Sequence, residues 1–410
     1  MIQGAMLTVE EAQARVMAEI AAGSTEVVPL SEALGRVLRE EVVATHDLPP
    51  ADNSGMDGYA VRFDDVASAS AERPVVLPVR GDIAAGHPSE RALEPGTAMR
   101  IMTGAFVPDG ADAVVQVEWT DGGTEQVSIA RAPKPGANVR RRGEDIRDGK
   151  LLLAPGARIG AAEMTLLAAA EKTQVVVGRR PVVAIFSTGD ELVDAGAPRG
   201  ASQIVNTNSW LLASLVRQAG GEPRMLGIVP DDREATLDAF RRAIESDFVI
   251  SSGGVSVGAY DYVKDSLETL GAETKFWRVA MKPGKPVVLS RLGDTVLFGL
   301  PGNPVSCFVS FHLFVVPALR RSAGEERNLF HPVVRMRLDG SVRGGDRRVY
   351  VRVRVTAEEG VLVARPLVSQ GSGSLTSMAG ANGLAIVERG LPGYETGAEV
   401  PVLLIGSLEG

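Results

Sequence analysis

Between residues 181 and 327, short apolar runs alternate with helical stretches, and this constrains the chain more than any other feature. Residues 182–186, 225–229 and 248–250 read as buried strands. Residues 209–219, 233–245 and 261–270 read as the helices between them. Strands at 276–279, 287–290 and 296–300 and a last helix at 304–321 complete the stretch. This alternation argues a doubly wound α/β sheet, in which ligands sit outside the carboxyl ends of the strands. The polar residues that follow each strand are therefore the candidates for chemistry.

Those residues form a pattern. The first strand leads into Ser187-Thr188-Gly189-Asp190-Glu191-Leu192, and the second into Pro230-Asp231-Asp232. Asn206-Thr207-Asn208 opens the intervening helix with two amides. The third strand enters Ser251-Ser252-Gly253-Gly254-Val255-Ser256-Val257-Gly258, with Asp261 beyond it. A glycine-rich turn from strand to helix exposes backbone N–H groups at the positive end of a helix dipole, which suits a phosphate or another oxyanion. The loop lacks the Gly-Lys-Ser/Thr of a P-loop, and its glycines do not have dinucleotide spacing. Met281-Lys282-Pro283-Gly284-Lys285-Pro286 and Leu300-Pro301-Gly302-Asn303-Pro304 follow. Asp190, Glu191, Asp231 and Asp261 thus fall on one rim with Lys282 and Lys285. Each acid has an alternative role as a helix cap or first-turn residue. Together, carboxylates and lysines beside a phosphate loop are what magnesium-assisted phosphoryl chemistry needs.

Composition bounds the rest. At 410 residues the chain has room for two to four domains. Its 45% hydrophobic and 23% charged content fits a soluble globular protein. A net charge of −8 argues against a nucleic-acid partner. The single cysteine, Cys307, rules out an intrachain disulfide and a multi-cysteine zinc cage. Neither a signal peptide nor a membrane span is evident, so the expected location is the cytoplasm, with no membrane partner.

Outside the α/β region the texture changes twice. Residues 48–146 lose helical periodicity and read as a small inserted β-rich domain. It opens on Asp52-Asn53-Ser54-Gly55-Met56-Asp57-Gly58-Tyr59, carries Thr103 at a strand end, and closes on Arg140-Arg141-Arg142-Gly143-Glu144-Asp145. Three arginines beside a glycine are a plausible oxyanion contact in an acidic chain. Residues 7–47, with helices expected at 12–20 and 29–36 and a strand at 37–44, share their texture with 147–180. The two segments read as one discontinuous linker or dimerisation domain. Residues 328–410 read as a C-terminal β domain of barrel type, with Arg347, Arg348, Arg352 and Arg354 as a basic edge.

Taken together and in order, these motifs resemble the molybdopterin molybdenumtransferases, the family of bacterial MoeA proteins and the gephyrin E domain. The resemblance implies four-domain subunits working as homodimers. Their active cleft is shared between the α/β domain of one subunit and the inserted β domain of the other. It implies substrates, molybdate and adenylylated molybdopterin, and metal insertion into the dithiolene with release of AMP. Asp190, Glu191, Asp231 and Asp261 then hold Mg²⁺, and Glu191, Asp231, Asp261 and Lys282 are catalytic. Asp57, Thr103 and Asp145 are the catalytic contribution of the β domain. Arg140, Ser251, Gly253, Gly254, Ser256, Gly258, Arg278, Lys285, Pro301, Arg348 and Ser372 contact substrate. Arg278 departs from the lysine expected there; its charge survives, but arginine is planar and keeps its proton. Other molybdenum cofactor biosynthesis proteins and apo molybdoenzymes are implied partners.

Two further readings use the same α/β module. One is a molybdopterin adenylyltransferase or a nucleotide pyrophosphatase; neither needs the Met56-Asp57-Gly58-Tyr59 motif. The other is a carrier that holds the pterin without turning it over.

Overall fold

The computed structural model describes residues 6–255 and 262–408. The chain divides into two compact units. One comprises the residues through Glu40, Pro155–Ala161 and everything from Gln174 onward; the other comprises Glu41–Ala154 and Ala162–Thr173.

The first unit is built on a six-stranded sheet of β1 (Val182–Thr188), β2 (Glu222–Val229), β3 (Phe248–Ser252), β4 (Glu273–Arg278), β5 (Pro286–Leu292) and β6 (Thr295–Leu300). The order is β2-β1-β3-β6-β5-β4. Neighbours from β2 to β6 run parallel, while β5 and β4 are antiparallel additions. Period-two alternation along β1 divides two cores. Val183 and Ile185 join one apolar cluster with helix α1 (Thr207–Gln218), and Ala184 and Phe186 join another with helices α2 (Arg233–Ala243) and α3 (Tyr262–Thr269). A sheet covered on both faces is the doubly wound architecture that the strand-helix alternation predicts.

Helix Val9–Glu19 starts with a capping box between Thr8 and Glu11 and lays Val9, Ala12 and Val16 on the α1 side of the sheet. The strand Thr25–Pro29 pairs with Gln174–Gly178. Only a single 3₁₀ turn, Leu30–Glu32, occupies the helix expected at 29–36. Three residues separate Pro29 from Ala33, and Gly35 then adopts φ 77°, so no second turn forms. The strand expected at 37–44 reduces to bridges at Val37 and Leu38 and the pair Val42–Val43.

The helix expected at 304–321 is interrupted. α4 (Pro304–Ser310) passes through a π turn at Phe311–Val315 before Val316–Ser322 resumes the α-helix. Pro317 has no N–H and its ring crowds the carbonyl four residues back, so the chain widens just ahead of it.

After this helix come β7 (Val333–Leu338), β8 (Arg348–Glu358), β9 (Val361–Pro366), β10 (Gly383–Val387) and β11 (Glu399–Leu404). They pair in the order β8-β9-β7-β11-β10 and back to β8, closing a five-stranded barrel. Its outward-facing Tyr350, Leu384, Ile386 and Leu403 belong to the same apolar cluster as Phe308 and Phe311.

The second unit holds a five-stranded sheet with Gly58–Val61 near its centre, between Ala113–Gln116 and Ala98–Ile101. Tyr59 and Val61 pack on one face, and Ala60 on the other. Gly58 is required for space: a Cβ there would lie 1.9 Å from the Val115 carbonyl oxygen.

Candidate active site

A cleft of about 830 Å³ opens at the carboxyl ends of β1, β3 and β6, against the starts of α1 and α4. Its floor is backbone-tight. Gly253 has φ 94°, and a Cβ on it would sit 2.8 Å from the Thr188 carbonyl oxygen. Both conformation and space therefore demand glycine. The Gly253 N–H donates to the Leu300 carbonyl at 3.0 Å, which joins the loop after β3 to the end of β6.

Asn208 holds this floor together. Its Nδ2 donates to Ser252 Oγ and to the Gly302 carbonyl, each at 2.7 Å. Its Oδ1 is buried without a hydrogen-bond partner among the described residues, and so is Oγ1 of Thr188 across the floor. Buried polar atoms of this kind are normally satisfied. Two of them in one cleft suit a polar ligand: the Asn208 oxygen must accept an N–H or O–H, and the Thr188 hydroxyl can donate or accept. Asn206 is already committed: it caps α1 through Ser209 N and also binds Ser209 Oγ.

Acids occupy the adjoining wall. Glu191 and Asp231 line the cleft, and Asp190 Oδ1 accepts the Asp231 backbone N–H at 3.0 Å. Burial, then the charges of Asp190 and Glu191, raise the Asp231 carboxyl above its ordinary range. Pro301 also lines the cleft. Ser251 does not: both it and Ser252 are buried at the end of β3, and Ser252 is the one that lines the cleft. Ser372 is represented by its carbonyl, which accepts Val305 N–H at 3.1 Å, while Gly373 beside it is in the wall. Ser256, Gly258 and Asp261 lie outside the described residues.

The cations divide into paired and unpaired. Arg348 is tied to Glu10 and Glu388, an anchoring role beside the Met281 register pair rather than a cleft position. Lys282, Lys285 and Arg278 are exposed and have no carboxylate partner among the described residues. Of their segment only Pro286 reaches the cleft wall.

The second unit carries its own cluster. Asp57 accepts both the N–H and the hydroxyl of Thr103, at 2.6 and 2.7 Å. These bonds, the hydroxyl first, hold its carboxyl below the usual range. A cavity of about 580 Å³ is lined by Leu48, Pro49, Asn53, Arg140, Glu144 and Asp145. Arg141 pairs with Asp52 and Arg142 with Asp47, each at 2.6 Å. Arg140, opposite Asn53 in a strand pair, is the arginine of the three left without a carboxylate partner among the described residues. Asn53 Oδ1 is buried there with no partner among the described residues.

Two residues prove informative, one read from the sequence as part of a basic edge and one with no motif. Arg352 is no edge residue: at 1% exposure its guanidinium binds Ser377 Oγ and the carbonyls of Ser369 and Gly371. It thereby sets the loop that brings Gly373 and Leu375 to the cleft. A charged residue inside a β-barrel strand is the signal that could have found it. Arg199 lines the cleft from a loop with no motif of its own.

A glycine floor, unsatisfied polar atoms and an acidic wall at the carboxyl ends of parallel strands define a multidomain α/β enzyme. Residues 7–170 match the MoeA N-terminal region (domain I and II), residues 184–321 the probable molybdopterin binding domain, and residues 336–405 the MoeA C-terminal region (domain IV). The molybdopterin molybdenumtransferase of a Nostoc species is 42% identical over 92% of this chain and 88% of its own. That of Bacillus subtilis is 39% identical over 97% and 94%. The solved molybdopterin biosynthesis MoeA protein of Pyrococcus horikoshii OT3 superposes with a TM-score of 0.84 at 30% identity, over 98% of this chain and all of that one. The chain belongs to the MoeA family of molybdopterin molybdenumtransferases, transferases of molybdenum cofactor biosynthesis. No helix among the described residues is long and apolar enough to cross a membrane.

Proposed function

We propose that the protein takes adenylylated molybdopterin and molybdate, inserts the metal into the dithiolene, and releases AMP by a Mg²⁺-dependent cleavage of the phosphoanhydride. The observation that carries this reading is the cleft wall, where Asp231 is raised by burial and by two neighbouring acids beside a glycine floor. Like charges held this close are relieved by a divalent cation. Among the described residues no group of three or more His, Cys, Asp or Glu side chains is placed to hold a metal ion. Asp190, Glu191 and Asp231 would supply oxygen donors to such an ion without forming a site by themselves, and Asp261, the fourth acid of the motifs, lies outside the described residues. Bound there, Mg²⁺ would offset charge on the phosphoanhydride oxygens.

The protein's own groups have separable tasks in this account. Asn208 Oδ1 accepts a donor from the neutral part of the substrate, and the Thr188 hydroxyl donates to it or accepts from it. The glycine loop after β3 takes the substrate's oxyanions in this account, the Gly253 N–H excepted because it is bound to the Leu300 carbonyl. Lys282 and Lys285, exposed and without a carboxylate partner among the described residues, screen the repulsion between two anionic substrates, which is about 4 kcal/mol for a close pair near a protein surface. Asp57 with Thr103, and Arg140 with Asp145, act from the β-rich unit. We propose further that the enzyme works as a homodimer in which that unit of one subunit completes the cleft of the other. In this reading it acts in the cytoplasm and hands its product to apo molybdoenzymes.

The test is reconstitution. Purified protein, adenylylated molybdopterin, molybdate and Mg²⁺ should yield a pterin that activates an apo molybdoenzyme. Chelation of the cation or omission of molybdate should abolish activation. A product that activates equally well without either would contradict the proposal.

A further inference from the structure

We infer that Arg199 is a phosphate-contact residue that makes the cleft prefer a phosphorylated nucleoside to an unphosphorylated one. The inference rests on the adenylylated-substrate reading above and assigns a residue to it that none of the family motifs contains.

The argument starts from the charges facing the cleft. Among the described residues its charged lining consists of two acids, Glu191 and Asp231, and one cation, Arg199. An anhydride adds negative charge to a wall that is already negative, so a cation at the lining is the group this cleft most needs. The guanidinium has no hydrogen-bond or ion-pair partner among the described residues, so none of its donors is committed elsewhere.

The loop that carries it is positioned by the cleft itself. Leu192 and Val193 pair in register with Ile204 and Val205, and Ile204 N–H donates to the Glu191 carbonyl at 2.7 Å. The excursion from 194 to 203 therefore leaves and rejoins the rim at neighbouring points. Within it, Gly200 N–H donates to Gln203 Oε1 and Gln203 N–H to the Gly200 carbonyl, which closes a turn directly after Arg199. The braced loop thus places residue 199 at the rim.

Depth gives an orientation. The two unpartnered polar atoms belong to Thr188 and Asn208, each 8% exposed, whereas Arg199 is exposed. The donor-bearing, neutral part of a ligand fits the floor, and its phosphate reaches the rim. A guanidinium offers two parallel donors to phosphate oxygens, a geometry that lysine reproduces only as a point charge.

The experiment is calorimetric titration of the full-length protein with AMP and with adenosine, at low ionic strength in Mg²⁺. Wild type should bind AMP more tightly than adenosine. R199Q should weaken AMP binding about ten- to a hundredfold, as loss of a charge-assisted contact does, and leave adenosine unchanged. R199K should recover part of the loss. The residue is exposed on a loop, so the melting temperature should not change. Unaltered AMP binding by R199Q, or equal loss of AMP and adenosine, would overturn the inference and leave the adenylylated-substrate reading standing. A wild type that binds neither ligand would remove that reading as well.

Discussion

Asp231 shows how one residue links the chemistry of the cleft to its stability. Burial and the charges of Asp190 and Glu191 raise its folded pKa above the unfolded value, so at neutral pH its ionised form is less stable in the fold than in the open chain. Asp231→Asn should therefore raise the melting temperature by about a few degrees at pH 7, while cutting turnover about a hundredfold or more. Thermal scanning beside an AMP-release assay reads both; a variant that loses activity and stability together would refute this view of the wall. The sign is opposite at Asp57. Its carboxyl is lowered by the hydroxyl and then the N–H of Thr103, so this interaction contributes above the unfolded pKa and fades as pH falls through the folded one. Thr103→Val removes the larger cause and should move the Asp57 titration, followed by NMR, upward toward the ordinary carboxylate value.

At the scale of elements, the turn after β3 is the part that tolerates least. Gly253→Ala combines a positive φ with a contact 2.8 Å from backbone, and should cost about 1–3 kcal/mol in denaturant unfolding. Its effect on ligand binding should exceed that of the same change at Gly196, which has open space around it. Much of this architecture was legible from residues alone. β1 alternates Val183 and Ile185 against Ala184 and Phe186, and a period of two with helical stretches between strands specifies a covered sheet. The acids at 190, 191 and 231 follow strand ends, where the fold places ligands. What escaped the sequence depends on tertiary context. Side-chain parity put Ser251 in the core and Ser252 in the cleft, and a one-residue shift in where a strand ends decides that. Arg348 and Arg352 look alike in the run from 347 to 354, yet one is fastened by two acids and the other is buried under a loop. The π turn before Pro317 and the short 3₁₀ turn after Pro29 mark places where local backbone chemistry overrode helical periodicity.

At the scale of the molecule, the barrel and the α/β sheet share one apolar cluster, joining Tyr350 and Leu384 to Phe308 and Phe311. They should melt as one transition in calorimetry; a separate barrel transition would contradict the shared core. The same junction carries a histidine pair, the buried His312 with Nδ1 3.0 Å from Nε2 of the half-buried His331. Burial first, then His331 and Arg320, push His312 down to about 3, and burial with Arg320 pushes His331 to about 4. Both are neutral in the fold and titrate near 6.5 when unfolded. Stability from this pair is thus complete above about pH 6.5 and is lost as pH falls toward 4. Replacing His331 with Gln should flatten that acid limb in a urea-unfolding series from pH 7 to 4. The central claim, that the cleft performs phosphoanhydride cleavage coupled to metal insertion, is tested most directly by AMP release from adenylylated molybdopterin with Mg²⁺, with and without molybdate. The account predicts release that requires molybdate in wild type and is nearly absent in Asp231→Asn; release at the same rate without molybdate, or undiminished in the variant, would contradict it.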